Sequence, residues 1–501
     1  MKKVLFTVAI AAAALATISS CQKEAPVQEE FKGYPCTIEV PESGLGDGEE
    51  TKLTIGGTEN RSMIWQAGDK INVFAADGTS EGEFVATTKT SSNKWTFTGY
   101  LKNESDVPTY IFFPYQEGAT CDESGNITVD IPTVQDGSVN NAIFAGELDS
   151  SGSLILKQAS AVIKVTIPDD MTDIESIRFV AAGDVQLAGE YTINASTRAW
   201  KEVDGKSAVI VRNSDGSALA PGDKYIFFRS CSPNAALVFT KTTGTTKYAA
   251  AISVPKKEGF YRGDRISNFG TVKNLKWIEN ALGGVFSVSS TKLALFAGGN
   301  VVYDKSADTW SMYTSQTTAL YKTYASGYNK FDYFKWNDAD TPGTANSRTA
   351  WDDAGDWAAK IGSDWAVPSA TDLDYLYKRT IQVGQAWAPL RYDGKMNAVV
   401  FYPDGYNGEF FSQASNNNIT PAEAEALEAD GCLILLCRGN DGGGTSPASG
   451  GKGFYWTSTY HDATPKAKAL ILDPAATTPA LSIGGNKTSL GFNVRLIHYI
   501  N

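Results

Sequence analysis

Three aspartates within five residues, Asp352, Asp353 and Asp356, lie between Trp351 and Trp357. Paired carboxylates at a suitable separation cleave glycosidic bonds, and indole faces suit the C–H-rich surfaces of sugar rings. The same three residues around Gly355 also describe a solvated turn. Trp336-Asn337-Asp338 offers an amide and a carboxylate of the kind calcium gathers, but calcium needs six to eight oxygens from several residues. A turn in which Asn337 and Asp338 bond their own backbone accounts for the tripeptide without a cation. Only two histidines occur, His461 and His498, too few for a His-rich metal site, and neither stands in a recognisable nucleophile motif. Gly439-Asn-Asp-Gly-Gly-Gly444 lacks the Gly-Lys-Ser/Thr ending of a phosphate cradle and reads as a loop. The residues thus leave Trp336, Trp351 and Trp357 as candidate ligand contacts, although each reads more readily as a core or structural tryptophan. They give no catalytic residue, no metal site and no cofactor.

Chemistry of another kind is written at the N-terminus. Lys2 and Lys3 precede a short apolar run, Val4 to Ile18, and then Ile18-Ser19-Ser20-Cys21. The run is too short for a membrane span and suits a signal peptide. Its ending resembles the lipobox of bacterial lipoproteins. That resemblance implies cleavage before Cys21, acylation of its thiol, and a chain held on the outer membrane by more than one acyl group. Residues 22–34 are polar and acidic and read as a tether. Removing Cys21 leaves five cysteines, an odd number. Cys432 and Cys437 flank Leu433 to Leu436, and five residues apart on a strand they face opposite sides. They are expected to be buried thiols and not a disulfide. The net charge of −12 repels phosphate backbones and excludes nucleic acid as an expected partner.

The elements positioning these residues are mainly strands. With 501 residues, and roughly 100–200 residues per domain, about three domains are expected. From 35 to 275 short alternating runs are separated by Gly, Asp, Asn and Ser clusters, the pattern of β-sandwiches. Cys36–Val40, Lys70–Phe74, Trp95–Gly99, Asn126–Asp130, Ser176–Val180, Ala208–Val211, Lys224–Phe228, Ala236–Phe239 and Tyr248–Val254 read as strands. The dense run Ala161–Ile167 reads as a central one. Pro168-Asp169-Asp170 marks a boundary. Beyond a connector at Lys273–Gly284 the texture changes, and eight of the eleven tryptophans lie at 277 or later. A short helix is expected after Ser369 or Thr371, with Leu373, Leu376 and Tyr377 on one face. A second runs from Pro421 to Asp430, capped by Thr420 and stopped at Gly431. Strands are expected at Cys432–Cys437, Gly453–Ser458, Ala467–Leu472 and Gly491–Ile497, which makes this part α+β.

Trp65-Gln-Ala-Gly-Asp-Lys-Ile71 resembles the W-x-x-G-D-x-I signature of Bacteroidetes fimbrillin-like proteins. Phe97-Thr98-Gly99, Tyr110–Pro114, Ile131-Pro132 with Gln135, the strand 161–167, Ser176–Phe179 and Leu187-Ala188-Gly189 follow in the family's order. Trp65 and Asp69 themselves are read as a core aromatic and a turn residue. After 276, Trp365-Ala-Val-Pro-Ser369, Tyr455-Trp-Thr-Ser-Thr459 and Gly491–Leu496 resemble a module of secreted Bacteroidetes and Fibrobacter proteins similar to the C-type lectin fold. The proline tripeptides of that fold's calcium site are absent, its Trp-Asn-Asp occurs as Trp336-Asn337-Asp338 but before the first expected helix and so out of order, and the paired cysteines of its oxidases have no counterpart.

Together these resemblances imply a mainly β protein. It would have a signal peptide at 1–20, a tether at 21–34, transthyretin-like β-sandwiches at 35–168 and 169–275, and a C-type-lectin-like α+β domain at 276–501. They imply a non-enzymatic fimbrial or adhesin-like surface lipoprotein, a tip or accessory subunit, meeting other pilin subunits and a surface glycan or protein. Assembly would proceed by strand exchange, with Cys36–Val40 as the removable strand and Lys52 and Arg61 as candidate cleavage sites. The alternative is a glycan-binding lipoprotein serving a polysaccharide uptake system.

Overall fold

The computed structural model describes residues 33–41, 53–56, 60–63, 65–91, 94–148, 154–181, 185–231, 235–254, 266–318, 329–342, 348–379, 385–394, 396–406, 408–414, 417–437, 439, 451–461, 466–476 and 478–500. Cys21, Lys52 and all of the 439–444 loop but Gly439 lie outside these.

The protein is mainly β. A seven-stranded sheet runs in the order Tyr34–Pro41, Lys94–Leu101, Ser80–Ser91, Lys70–Ala75, Pro108–Phe113, Phe144–Leu148, Leu154–Gln158. Strict alternation explains how it is buried on both sides. Val73, Ile111 and Phe113 enter one core with Ile38, Val40 and Trp65. Phe74, Tyr110 and Phe112 enter another with Ile127, Val129 and Ile131. A six-stranded sheet is ordered Val134–Gln135, Ala208–Val211, Ser176–Ala181, Ala235–Thr243, Thr246–Val254, Ile278–Glu279. The dense run is indeed internal: Ser160–Ile167 lies between Gly222–Arg229 and Ile266–Thr271.

The sheets do not part at residue 168. Asn126–Ile131 pairs with Ala188–Asn194, and Val134–Gln135 pairs in parallel with Ala208–Val211. The two β regions are interleaved, because strands on either side of the Pro168 turn contribute to one shared core.

The C-terminal part mixes helices with small sheets, as expected. Helix α1 is Trp357–Ile361, α2 is Ala370–Lys378 and α3 is Pro421–Ala429. Of the two caps open for α2, Ser369 is the one used and Thr371 lies inside the helix; Thr420 caps α3 as expected, and both caps form reciprocal capping boxes. Gly431 follows α3 with φ +85°, and a Cβ there would lie 2.4 Å from the Gly284 backbone nitrogen, so glycine is required twice over. Cys432 and Cys437 are buried free thiols in two different cores, on opposite faces of Leu433–Leu436.

Gly491–Ile497 is not a strand. Phe492 pairs with Phe334, Asn493 with Tyr455 and Ile497 with Ala366, each as an isolated bridge. The regular last strand begins only at Ile497 and runs to Ile500. The segment is apolar because it threads between several elements, all of which bury it, and not because it lies in one sheet. Helix α1 was not foreseen. It is a single short turn whose cap, Asp356, reads as a loop residue.

Three strands carry too little apolar alternation to be visible in the sequence. In Trp200–Lys206 the four consecutive residues from Lys201 to Asp204 are all exposed, Ser80–Ser91 is rich in Thr and Ser, and Ala480–Lys487 contains two glycines. No described helix is long and apolar enough to cross a membrane.

Candidate functional site

The first strand, Tyr34–Pro41, is an edge. It pairs antiparallel with Lys94–Leu101 along all eight residues, from Tyr34 opposite Leu101 to Pro41 opposite Lys94. Every second side chain points inward. Ile38 and Val40 are buried, each worth roughly 1.5–3 kcal/mol of apolar transfer. On the outer face Glu39 meets Lys94 at 3.2 Å, an exposed pair that adds little. The strand at the opposite edge, Leu154–Gln158, curls round to touch the first strand, and its Leu154 and Leu156 share the core with Ile38 and Val40. The first strand therefore fills the gap between two sheet edges.

Trp65 holds the end of that strand. Its indole N–H donates to the Pro41 carbonyl at 3.2 Å. Its ring packs edge-on against Phe97 and Phe113, with centroids at 4.9 and 5.1 Å. The rest of the W-x-x-G-D-x-I pattern is a turn. The Asp69 Oδ2 accepts from the Gln66 N–H at 2.9 Å. Gly68 takes φ +90° with open space around it, so it is the left-handed backbone and not crowding that favours glycine. Ile71 then starts a buried strand. Trp65 and Asp69 are the core aromatic and the turn residue expected. Between the first strand and Trp65 lies a hairpin, Leu53–Gly56 with Asn60–Met63, whose register sets Arg61 opposite Ile55. The Arg61 side chain and Lys52 lie outside the description.

Of the two readings open for the C-terminal tryptophans, core residue and ligand contact, the structure places Trp336 and Trp357 in the core. Trp336 and Trp357 have no exposed surface. The Trp336 N–H donates to the Thr457 carbonyl at 2.8 Å, and the Trp357 N–H to Asp338 Oδ1 at 2.9 Å. Neither presents a face to a sugar, because both complete one apolar core with Trp456 and Phe492. Trp351 is half-buried and packs edge-on against both, at 5.7 and 5.6 Å.

Asp338 bonds the nearby Lys335 N–H at 3.0 Å, as a turn residue should. Asn337 reaches along the chain to Asp352. Its side chain donates to the Asp352 carbonyl and accepts from the Asp352 N–H, at 2.9 and 3.0 Å, and so pins the aspartate loop. Two of the three aspartates of that loop are helix caps, and Asp353 lies within the short turn between them. Asp352 accepts from the Ala354 N–H, and Asp356 from the Ala358 N–H at 2.9 Å. Burial pushes the Asp356 carboxyl up. Arg348 grips Asp340 with two nitrogens, at 3.0 and 2.6 Å, and Asp352 with a third. His461 is half-buried beside Lys468 and Asp374, in a shallow depression next to α2. Among the described residues, no three His, Cys, Asp or Glu side chains are placed to hold a metal ion.

Sequence reasoning passed over a cleft between the six-stranded sheet and α3, lined by Arg178 and Arg212 among others. A signal was available: Arg178 is the one charged residue in the otherwise apolar strand Ser176–Ala181.

The fold is that of a mainly β protein with a helix-containing C-terminal part. No family model matches the chain, and no curated protein matches it. Among solved structures it is similar to a proposed cell adhesion protein from Bacteroides ovatus, at 10% identity, covering 43% of this chain and 87% of that one with a TM-score of 0.27. It is also similar to the tip fimbrial protein Mfa3 from Porphyromonas gingivalis, truncated at its C-terminus, at 12% identity, covering 50% of this chain and 92% of that one with a TM-score of 0.22. No residue role is transferred from either.

Proposed function

We propose that the chain is a non-enzymatic, fimbrial or adhesin-like surface lipoprotein, delivered as a precursor tethered through Cys21 and, once processing removes that lipid with the first strand, joined to other pilin subunits by strand exchange. One observation carries the reading. Tyr34–Pro41 is an edge strand whose inward residues, Ile38 and Val40, close a core that two sheet edges leave open. An incoming strand with apolar residues at alternate positions would find the same hydrogen-bonding edge on Lys94–Leu101 and the same two pockets. Cleavage after Lys52 or Arg61 would free the strand while leaving Trp65 and the turn behind it. The C-terminal α+β part, 276–501, would serve as a C-type-lectin-like contact module, which suits a tip or accessory subunit better than a shaft.

Mass spectrometry of the surface-assembled protein tests the idea. The expected mature N-terminus follows Lys52 or Arg61. Recovery of an intact Gly33–Arg61 segment from assembled material would sink strand exchange by this route.

A further inference from the structure

A cleft of about 330 Å³ opens between the outer face of the six-stranded sheet and the end of α3. The register places its basic residues together. Arg178 lies opposite Ile210 and Val238, and Ile177 opposite Val211, so alternation sends Ser176, Arg178 and Arg212 to one face.

Arg178 is only 8% exposed. One of its nitrogens donates to the Asp430 backbone carbonyl at 3.1 Å, while its Nε is buried with no acceptor. Among the described residues no carboxylate forms an ion pair with it, although the Asp430 charge lies near enough to favour its protonated form. A buried guanidinium without a carboxylate is a costly arrangement. Arg212, exposed and close enough to oppose the Arg178 charge, also makes no ion pair among the described residues. The other cations at the cleft are already matched: Lys247 meets Glu428 at 3.0 Å, and Lys241 meets Asp173 at 2.8 Å. Glu175 accepts from the N–H and the hydroxyl of Thr242. Both arginines therefore lack a directly contacting carboxylate among the described residues, although Glu175, with its uncharged partners, and the nearby Asp430 leave the cleft formally balanced, in a chain whose net charge is −12.

We propose that this cleft binds a small carboxylate-bearing saccharide, a uronic acid, with its carboxylate seated between Arg178 and Arg212. Guanidinium forks match carboxylates in two-point geometry. The Ser176 and Thr240 hydroxyls, 2.6 Å apart, stand beside them as partners for ring hydroxyls. The volume lies at the small end of ligand sites, enough for a sugar unit. A peptide cannot add here as a strand, because both neighbours of Ser176–Ala181 are already paired. The proposal does not rest on the assembly reading above.

Isothermal titration calorimetry of the full chain with galacturonic acid tests it, with galactose and an Asp-Glu dipeptide as comparison ligands. Galacturonic acid is expected to bind at least about tenfold tighter than galactose, the size of one charge-assisted contact. Arg212→Gln, at an exposed position that should not disturb folding, is expected to weaken it by about tenfold with the unfolding midpoint unchanged. Arg178→Gln is expected to abolish it without lowering that midpoint, since a buried charge is removed. The assignment is overturned if galacturonic acid gives no heat, if galactose binds equally, if Arg212→Gln binds as well as the parent, or if the dipeptide binds more tightly.

Discussion

At the scale of single residues, most of the charged chemistry in this chain is architectural. Arg495 is fully buried and satisfied by neutral oxygens: Asn300 Oδ1 at 2.9 Å, the Ala297 carbonyl at 3.0 Å and Gln316 Oε1 at 3.2 Å. It stitches the last segment to the end of the strand Leu293–Ala297 with the turn after it and to the loop at Gln316, and burial brings its guanidinium pKa down to about 10. Arg379 is buried against Asp404, which in turn accepts from the Ser287 N–H and hydroxyl. Arg348 is the clearest case for a pH test. Its two-point hydrogen bond holds the Asp340 carboxyl below the usual carboxylate range. Because the folded pKa is depressed, the stabilisation is fully present above the unfolded value of about 3.9 and is lost as pH falls through the folded one. Asp340→Asn is therefore expected to flatten the acid side of the stability profile below about pH 4. Urea midpoints measured at pH 6 and pH 3 check this; an equal drop in both proteins refutes it.

At the scale of elements, the helices show how directly local chemistry sets structure. The Ser369 hydroxyl accepts from the Asp372 N–H at 3.1 Å, and Asp372 returns the bond to the Ser369 N–H at 2.8 Å. Asp372 also accepts from the Tyr499 hydroxyl at 2.7 Å, which ties the start of α2 to the last strand. Ser369→Ala is expected to cost about 1 kcal/mol, and Asp372→Ala more, because it also strands the tyrosine. Denaturant midpoints rank the two; the reverse order would contradict the tie. Both caps were legible in sequence because a cap is read from four consecutive residues. So were the strands with strict alternation and the turn that Gly68 and Asp69 build. What was hidden depends on distant partners. Trp336 and Trp357 stay open between core and ligand contact because nothing local says that Thr457 and Asp338 will accept their N–H groups. The apolar run before Ile497 reads as a strand because burial from several sides looks, in one dimension, like burial in a ladder. Arg178 was passed over because its burial is created by α3, some 250 residues downstream.

At the scale of the whole molecule, the β part and the C-terminal part share a core. Val180, Ala208, Ala236, Val238, Ala249 and Ile278 come from the outer face of the six-stranded sheet; Ala281, Val285, Leu293 and Leu295 face them. Alternation divides one strand between two cores, with Leu237 and Phe239 pointing the other way. A single charge there should uncouple the parts. Val238→Asp is expected to split thermal unfolding into two transitions, measured by calorimetry, since a buried carboxylate without a partner is strongly disfavoured; one cooperative transition at the parent midpoint would show that the core does not couple them. The last strand, Ile497–Ile500, pairs with Leu293–Ala297, so Leu293 stands opposite Ile500. Closing a loop of about two hundred residues costs roughly 5 kcal/mol of chain entropy before any contact forms. Folding is thus ordered in time. The β part can form as soon as its own strands exist, whereas the C-terminal part stays open until the final residues arrive to latch it. While the chain waits, the strand Leu293–Ala297 has one edge unfilled, and this is the interval in which the protein is most exposed to mispairing.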